Sequence, residues 1–157
     1  MAEGDPDYVY VIYIKAPREK VWAALTDREE RAWWAGTRHD TTFEKNAPLA
    51  FRRNGGVDVR GVIKEIEPPK KLVYTFRSEG PGPQHDEGDS LVTYDLVQDG
   101  EATKLTVLHT GFVKNSKLRN AISNGWPSIL SQLKSTLESG APMHYASWDE
   151  MKHKKSA

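Results

Sequence analysis

The chain has 157 residues, enough for one domain that buries roughly two-thirds of its unfolded surface. Its 22 Lys and Arg balance 22 Asp and Glu, so it lacks the basic excess that binding to a phosphate backbone requires. There is no cysteine, which excludes disulfides, a thiolate nucleophile and zinc–thiolate sites.

The start, MAEGDPD, is acidic and has neither the basic opening nor the apolar run of a signal peptide. No segment reaches the roughly 18 apolar residues of a membrane span, so the expected location is the cytoplasm. Tyr8 to Ile14 is β-branched and aromatic throughout and reads as a strand, buried on both faces or central in a sheet. Pro17 suits the first position of a helix carrying Val21, Trp22 and Leu25. Thr26-Asp27-Arg28-Glu29 has the T-x-x-E form of a capping box, which predicts a second short helix through Trp33 and Trp34 that ends at Gly36. Of the two adjacent indoles, Trp33 is assigned to structure and Trp34 to the edge of a pocket.

Strands follow. Leu49–Arg53 and Val57–Glu67 flank Asn54-Gly55-Gly56, a strong hairpin signal. Pro68-Pro69 forces a turn, and Leu72–Phe76, Leu91–Val97 and Lys104–Thr110 resume as alternating strands. A bulge near Gly61 would swap which residues of its strand face inward. Ser78–Asp89 (SEGPGPQHDEGD) is rich in Gly, Pro and acid and reads as a mobile loop. Ile122, Trp126, Ile129, Leu130, Leu133 and Leu137 then form a helical stripe. Pro127 predicts either a start near Asn124-Gly125 or a break after a shorter turn at Lys117–Ile122. Gly140 and Pro142 end the helix, and Ser147–Glu150 predicts a final short one.

This order predicts an α+β fold of the helix-grip kind. A curved antiparallel sheet of about six to seven strands wraps a long C-terminal helix, with two short helices after the first strand. Residues 1–157 form a single domain, with a core at about 8–140, a flexible acidic segment 1–7 and an extension 141–157. The gap between sheet and helix is where a ligand would lie.

Four stretches support a family resemblance. Ile14–Asp27 (IKAPREKVWAALTD) resembles an opening I-x-A-P-x-x-x-V-W-x-x-L-T-D. Gly61–Phe76 resembles a hairpin G-x-V-x-E-x-x-P-P-x-x-L-V-Y-x-W/F, Leu105–Phe112 resembles L-T-x-x-H-x-G-F, and Gly125–Leu133 resembles G-W-x-x-I-L-x-x-L. In this order they resemble the bacterial proteins similar to the activator of the heat-shock-protein-ninety ATPase, within the START and birch-pollen-allergen (SRPBCC) superfamily. The resemblance implies the helix-grip fold. It implies no single activity, because the superfamily includes binders of lipids and aromatic compounds, cyclases and aromatases, and co-chaperones.

The residues favour binding over catalysis. There is no G-x-S-x-G elbow, and His85-Asp86-Glu87 with Asp89 matches no metal-binding spacing, so neither a metal nor a cofactor is expected. The candidate ligand-binding residues are Trp34, Phe51, Val62, Tyr74, Phe76, Tyr94, His109, Trp126, Leu130 and Leu133. They would enclose a small hydrophobic or aromatic molecule, with His109, Tyr74 and Tyr94 setting its orientation. The alternatives are a co-chaperone-like interaction module, presenting Trp33 or Trp34 with Tyr145 and Trp148, and a cyclase- or aromatase-like enzyme with His109 as acid or base. A protein partner is thus a second expectation; nucleic acid and membrane insertion are not expected.

Overall fold

The computed structural model describes residues 4–79 and 86–152, the last two by backbone alone. Seven strands form one antiparallel sheet: β1 (Tyr8–Ile14), β2 (Arg38–Asp40), β3 (Pro48–Arg53), β4 (Gly56–Glu67), β5 (Lys71–Ser78), β6 (Ser90–Asp99) and β7 (Ala102–Thr110). Their order across the sheet is β1-β7-β6-β5-β4-β3-β2. Helix α1 (Arg18–Leu25) follows β1, α2 (Lys117–Ser139) follows β7, and α3 (Ala146–Lys152) ends the described chain. This is the helix-grip arrangement, with α2 lying along the concave face.

The strand alternation sets that face. Thr103, Leu105, Val107 and His109 of β7 are all buried, as are Val92, Tyr94 and Leu96 of β6 and Leu72, Tyr74 and Phe76 of β5. Helix α2 meets them with Leu118, Ile122, Trp126, Leu130 and Leu133. The Asn54–Gly55 hairpin between β3 and β4 has positive φ at both residues (50° and 81°), the geometry that an Asn-Gly turn supplies at low steric cost.

Several expectations need correction. β1 is an edge strand rather than a buried or central one, and Val9, Val11 and Tyr13 are exposed on its outer face. The T-x-x-E stretch starts no α-helix. Thr26 instead ends α1, its hydroxyl donating to the Trp22 carbonyl, and the Asp27 carboxylate accepts from the Glu29 amide. Only a 3₁₀ turn, Ala32–Trp34, follows, closed by left-handed Ala35 and Gly36. The three-residue strand β2 was not anticipated. It is too short to leave a readable alternation.

Pro127 neither starts nor breaks α2, which runs through it without interruption. Ser116 caps the helix by accepting from the Arg119 amide, and Gly140 closes it at φ 92°. The acidic segments before β1 and between β5 and β6 also meet this helix start. Asp5 accepts from the Asn115 and Ser116 amides, and Glu87 accepts from the Lys117 amide and the Ser116 hydroxyl. Carboxylates at a helix N-terminus complement its dipole and its unpaired N–H groups. So the end of the Ser78–Asp89 loop is held by named bonds, whereas residues 80–85, including His85, lie outside the described residues.

Candidate functional site

Beneath the 3₁₀ turn, aromatic side chains from separate elements converge. Trp34 lies edge-on to His39, Phe51 and Trp126, with ring centroids 4.7, 5.2 and 5.8 Å away. His39 stacks flat on Phe51 at 3.8 Å. Phe51 leads to Tyr74 and Phe76, and Tyr94 leads back to Trp126. The assembly sits between the concave sheet and the N-terminal half of α2, closed by the segment that carries the paired tryptophans.

Both indoles of that pair are buried, and they have different neighbours. Trp33 packs on Trp34 and on the Arg31 guanidinium, whereas Trp34 reaches into the ring assembly. Of the other candidate residues, Phe51, Tyr74, Phe76, Tyr94, His109, Trp126, Leu130 and Leu133 are buried together in this interior. Val62 is not among them. The inward residue is its neighbour Ile63, fully buried and paired with Tyr74, because the bulge in β4 falls between Ile63 and Glu65. Just before it, the Thr75 carbonyl presses on Gly61 so closely that a Cβ there would lie 1.9 Å from the oxygen. Parity counted from Phe76 through the hairpin misses this irregularity.

His109 is committed on both sides. The Trp126 indole N–H donates to its Nδ1 at 3.1 Å, so the ring proton sits on Nε2 and is donated to Ser90 Oγ at 2.7 Å. Ser90 passes its own proton to the Phe76 carbonyl at 3.0 Å. Burial pushes the His109 pKa down from 6.5 to about 3, so at neutral pH the ring is uncharged.

The residues that sequence reasoning missed are Arg31, His39 and Ser90. Arg31 is 2% exposed. Its guanidinium donates to the Leu25 and Asp27 carbonyls and, at 3.1 Å, to His39 Nε2, and it lies 5.5 and 5.8 Å from the Trp33 and Trp34 rings. Among the described residues it contacts no carboxylate, since Asp27 meets it through the backbone carbonyl. Burial, reinforced by the Arg31 charge, holds His39 well below the usual histidine pKa, and burial lowers Arg31 itself to about 10. Arginine, histidine and serine in short polar stretches look like surface in a sequence, and nothing in their spacing signals burial.

The Tyr74 and Tyr94 hydroxyls bond each other at 2.7 Å, deep under α2. Burial raises both phenols far above their usual pKa, so both stay protonated. On the outer side, His39 also lines a groove of about 380 Å³ that includes Arg28, Arg38, Arg52 and Arg60.

A curved antiparallel sheet gripping one long helix, with an aromatic interior, defines the helix-grip class of proteins. Within that class the chain belongs to the family of Activator of Hsp90 ATPase homolog 1-like proteins, whose model matches residues 15–138. Among solved structures, a protein from Mesorhizobium loti (MLL2253) is 26% identical, with a TM-score of 0.72 over 85% of this chain and 97% of that one. CalU16 from Micromonospora echinospora is 22% identical, with a TM-score of 0.70 over 94% and 89% of the two chains. The Aha1 dimer from Colwellia psychrerythraea is 24% identical, with a TM-score of 0.67 over 87% and 98%. These last two show likeness of fold alone. No curated protein matches the chain in sequence. No helix among the described residues is long and apolar enough to cross a membrane.

Proposed function

We propose that this protein binds a small hydrophobic, aromatic molecule in the ring assembly between its sheet and α2, in the cytoplasm and without catalysing a reaction. The observation that carries the reading is Trp34. Its indole is the most exposed member of the assembly, at 8%, and a three-residue 3₁₀ turn holds it there rather than an α-helix or a strand. That segment closes on itself through only a few backbone bonds, among them Arg31 to Thr37 and Gly36 to Arg31. A short turn outside the sheet and the long helix is the kind of element that opens locally.

The rings already touch one another, so a ligand takes the place of Trp34. An indole buries roughly 150–250 Å², worth about 4–6 kcal/mol at about 25 cal/mol per Å². A ligand must bury a comparable apolar area, which sets its size at about two fused aromatic rings. His109 supports binding over acid–base chemistry, because both of its nitrogens are occupied by Trp126 and Ser90.

The test is a ¹⁵N-shift screen against small lipophiles and aromatics, read at the Trp34 and Trp126 indole N–H signals. Binding moves both signals, and Trp126→Ala, if folded, abolishes it. Silence across the library, or unchanged binding by the folded variant, overturns the proposal.

A second reading, an interaction module, has one observation in its favour. Val9, Val11, Tyr13 and Val97 are exposed on the outer sheet face. Trp33, Trp34 and Trp148, the surface expected from the sequence, are buried, and Tyr145 is half-buried. A protein partner would therefore use the sheet.

A further inference from the structure

Three groups of the interior supply more hydrogen-bond donors than the protein supplies acceptors. Tyr74 and Tyr94 have two hydroxyl protons and one bond between them, so one phenol proton has no acceptor among the described residues. Arg31 has five N–H bonds, and four of them go to two backbone carbonyls and one imidazole nitrogen, which leaves one over. Its charge is felt by Tyr94, Asp27 and Tyr74, and among the described residues no carboxylate lies within ion-pair distance of it. A buried charge whose counter-ion is not in contact is costly, and it favours whatever brings a negative oxygen near it.

The outer face of the sheet at this point has the same sign, with Arg38, Asp40, Arg52 and Arg60 alternating outward from His39 and Phe51. His39, which accepts from Arg31 and stacks on Phe51, forms part of the arginine-lined groove. Four arginines, Arg28, Arg38, Arg52 and Arg60, line it with one carboxylate, Asp40, which pairs with Arg52 at 2.8 Å and with Arg38 at 4.0 Å, while Arg60 pairs with Glu79 at 3.9 Å. Such an excess focuses a field that concentrates anions at the groove.

We infer that the ligand is an apolar acid, an aromatic carboxylate or acidic phenol, whose anionic oxygen accepts from the Tyr74–Tyr94 hydroxyl pair beside Arg31. The inference rests on the ligand-binding reading above. In the complex one tyrosine donates to the other and the second donates its spare proton to the ligand oxygen. The chain of donors then ends on a charged acceptor, the stronger kind of hydrogen bond. Arg31 holds the anion in place without giving up its bonds to the α1 end. Burial keeps both phenols protonated at neutral pH, so the pair has one proton left to donate.

The experiment compares 2-naphthoate with 2-naphthamide, equal in rings and close in shape, by ¹⁵N-shift titration of the full chain. The expected result is that naphthoate binds about ten-fold more tightly or better, the size of one charge-assisted hydrogen bond. Arg31→Gln removes that preference. Because Arg31 also ties down the α1 end, Tyr74→Phe/Tyr94→Phe serves as the second variant, filling the same space and losing about ten-fold in naphthoate affinity. Equal affinities for the two compounds, or a preference unchanged in the double variant, overturn the inference and leave ligand binding standing. Silence from both compounds at the Trp34 and Trp126 signals removes the ligand-binding reading, and this one with it.

Discussion

His109 and His39 carry a pH dependence that follows from where they sit. Each has a folded pKa below its unfolded value near 6.5, and for His109 the folded value is about 3. Between those values the unfolded chain binds more protons than the native one, so stability rises with pH there and is lost as pH falls. Above about pH 6.5 both states are neutral and the contribution is complete. For His109 alone the loss at pH 5 is about 2 kcal/mol. Urea unfolding at pH 7.5 and pH 5 checks this, and His109→Gln reduces the difference by about 2 kcal/mol while leaving the His39 part. An unchanged midpoint across that range would show that His109 is not buried neutral. The sequence marked His109 through its place at the inward end of β7. It could not mark Ser90 or the Trp126 indole, because those bonds join residues 19 and 17 positions away from it.

At the scale of elements, one irregularity in β4 decides which side chains line the interior. Strand alternation repeats every two residues, so a single inserted residue moves all that follow to the opposite face. Gly61 sits where the Thr75 carbonyl leaves no room for a Cβ, and the displaced atom would be backbone, which yields poorly. Gly61→Ala is therefore expected to cost about 3 kcal/mol, the upper range for forced overpacking. Thermal unfolding checks it, and a wild-type midpoint would mean that β4 and β5 separate at little cost. Most elements were legible from pattern alone: β3 to β7 and the stripe of α2 each show an apolar period over many residues. The segment 26–36 was misread because T-x-x-E is a local signal. Its threonine caps the end of α1 instead, and the chain then follows Arg31 and the two indoles inward. The continuity of α2 through Pro127 was equally hidden, since packing of its stripe on the sheet outweighs one lost backbone bond.

Across the whole molecule, the extension beyond the family-like region is packed onto the rest. Trp148 of α3 is 1% exposed, and the buried Gln132 amide bonds both the N–H and the carbonyl of Met143, at 2.6 and 2.8 Å. Tyr145 meets Ser128 of α2 through a 2.6 Å hydroxyl bond. The extension also forms one wall of a groove of about 580 Å³, whose other wall is Ala32, Ala35 and Gly36 of the paired-tryptophan segment. Trp148→Ala is expected to lower stability by about 3 kcal/mol, as for other buried aromatics, with the denaturant slope unchanged. An effect below about 0.5 kcal/mol, the size expected of a surface position, would mean that α3 is detached in solution.

The sequence by itself determined the sheet, the gripping helix and the family, because long apolar periods and four ordered motifs survive without any knowledge of neighbours. It also chose nearly all the aromatic residues of the interior, for the same reason: large side chains on the inward phase of a strand or helix have nowhere else to go. Only the tertiary structure decided what those rings enclose. Arg31, His39 and Ser90 are short-range polar residues by sequence, and they become interior only when α1, β2, β6 and α2 are brought together. A hydrogen bond or an unbalanced charge belongs to a pair of positions in space, and no single stretch of chain records it.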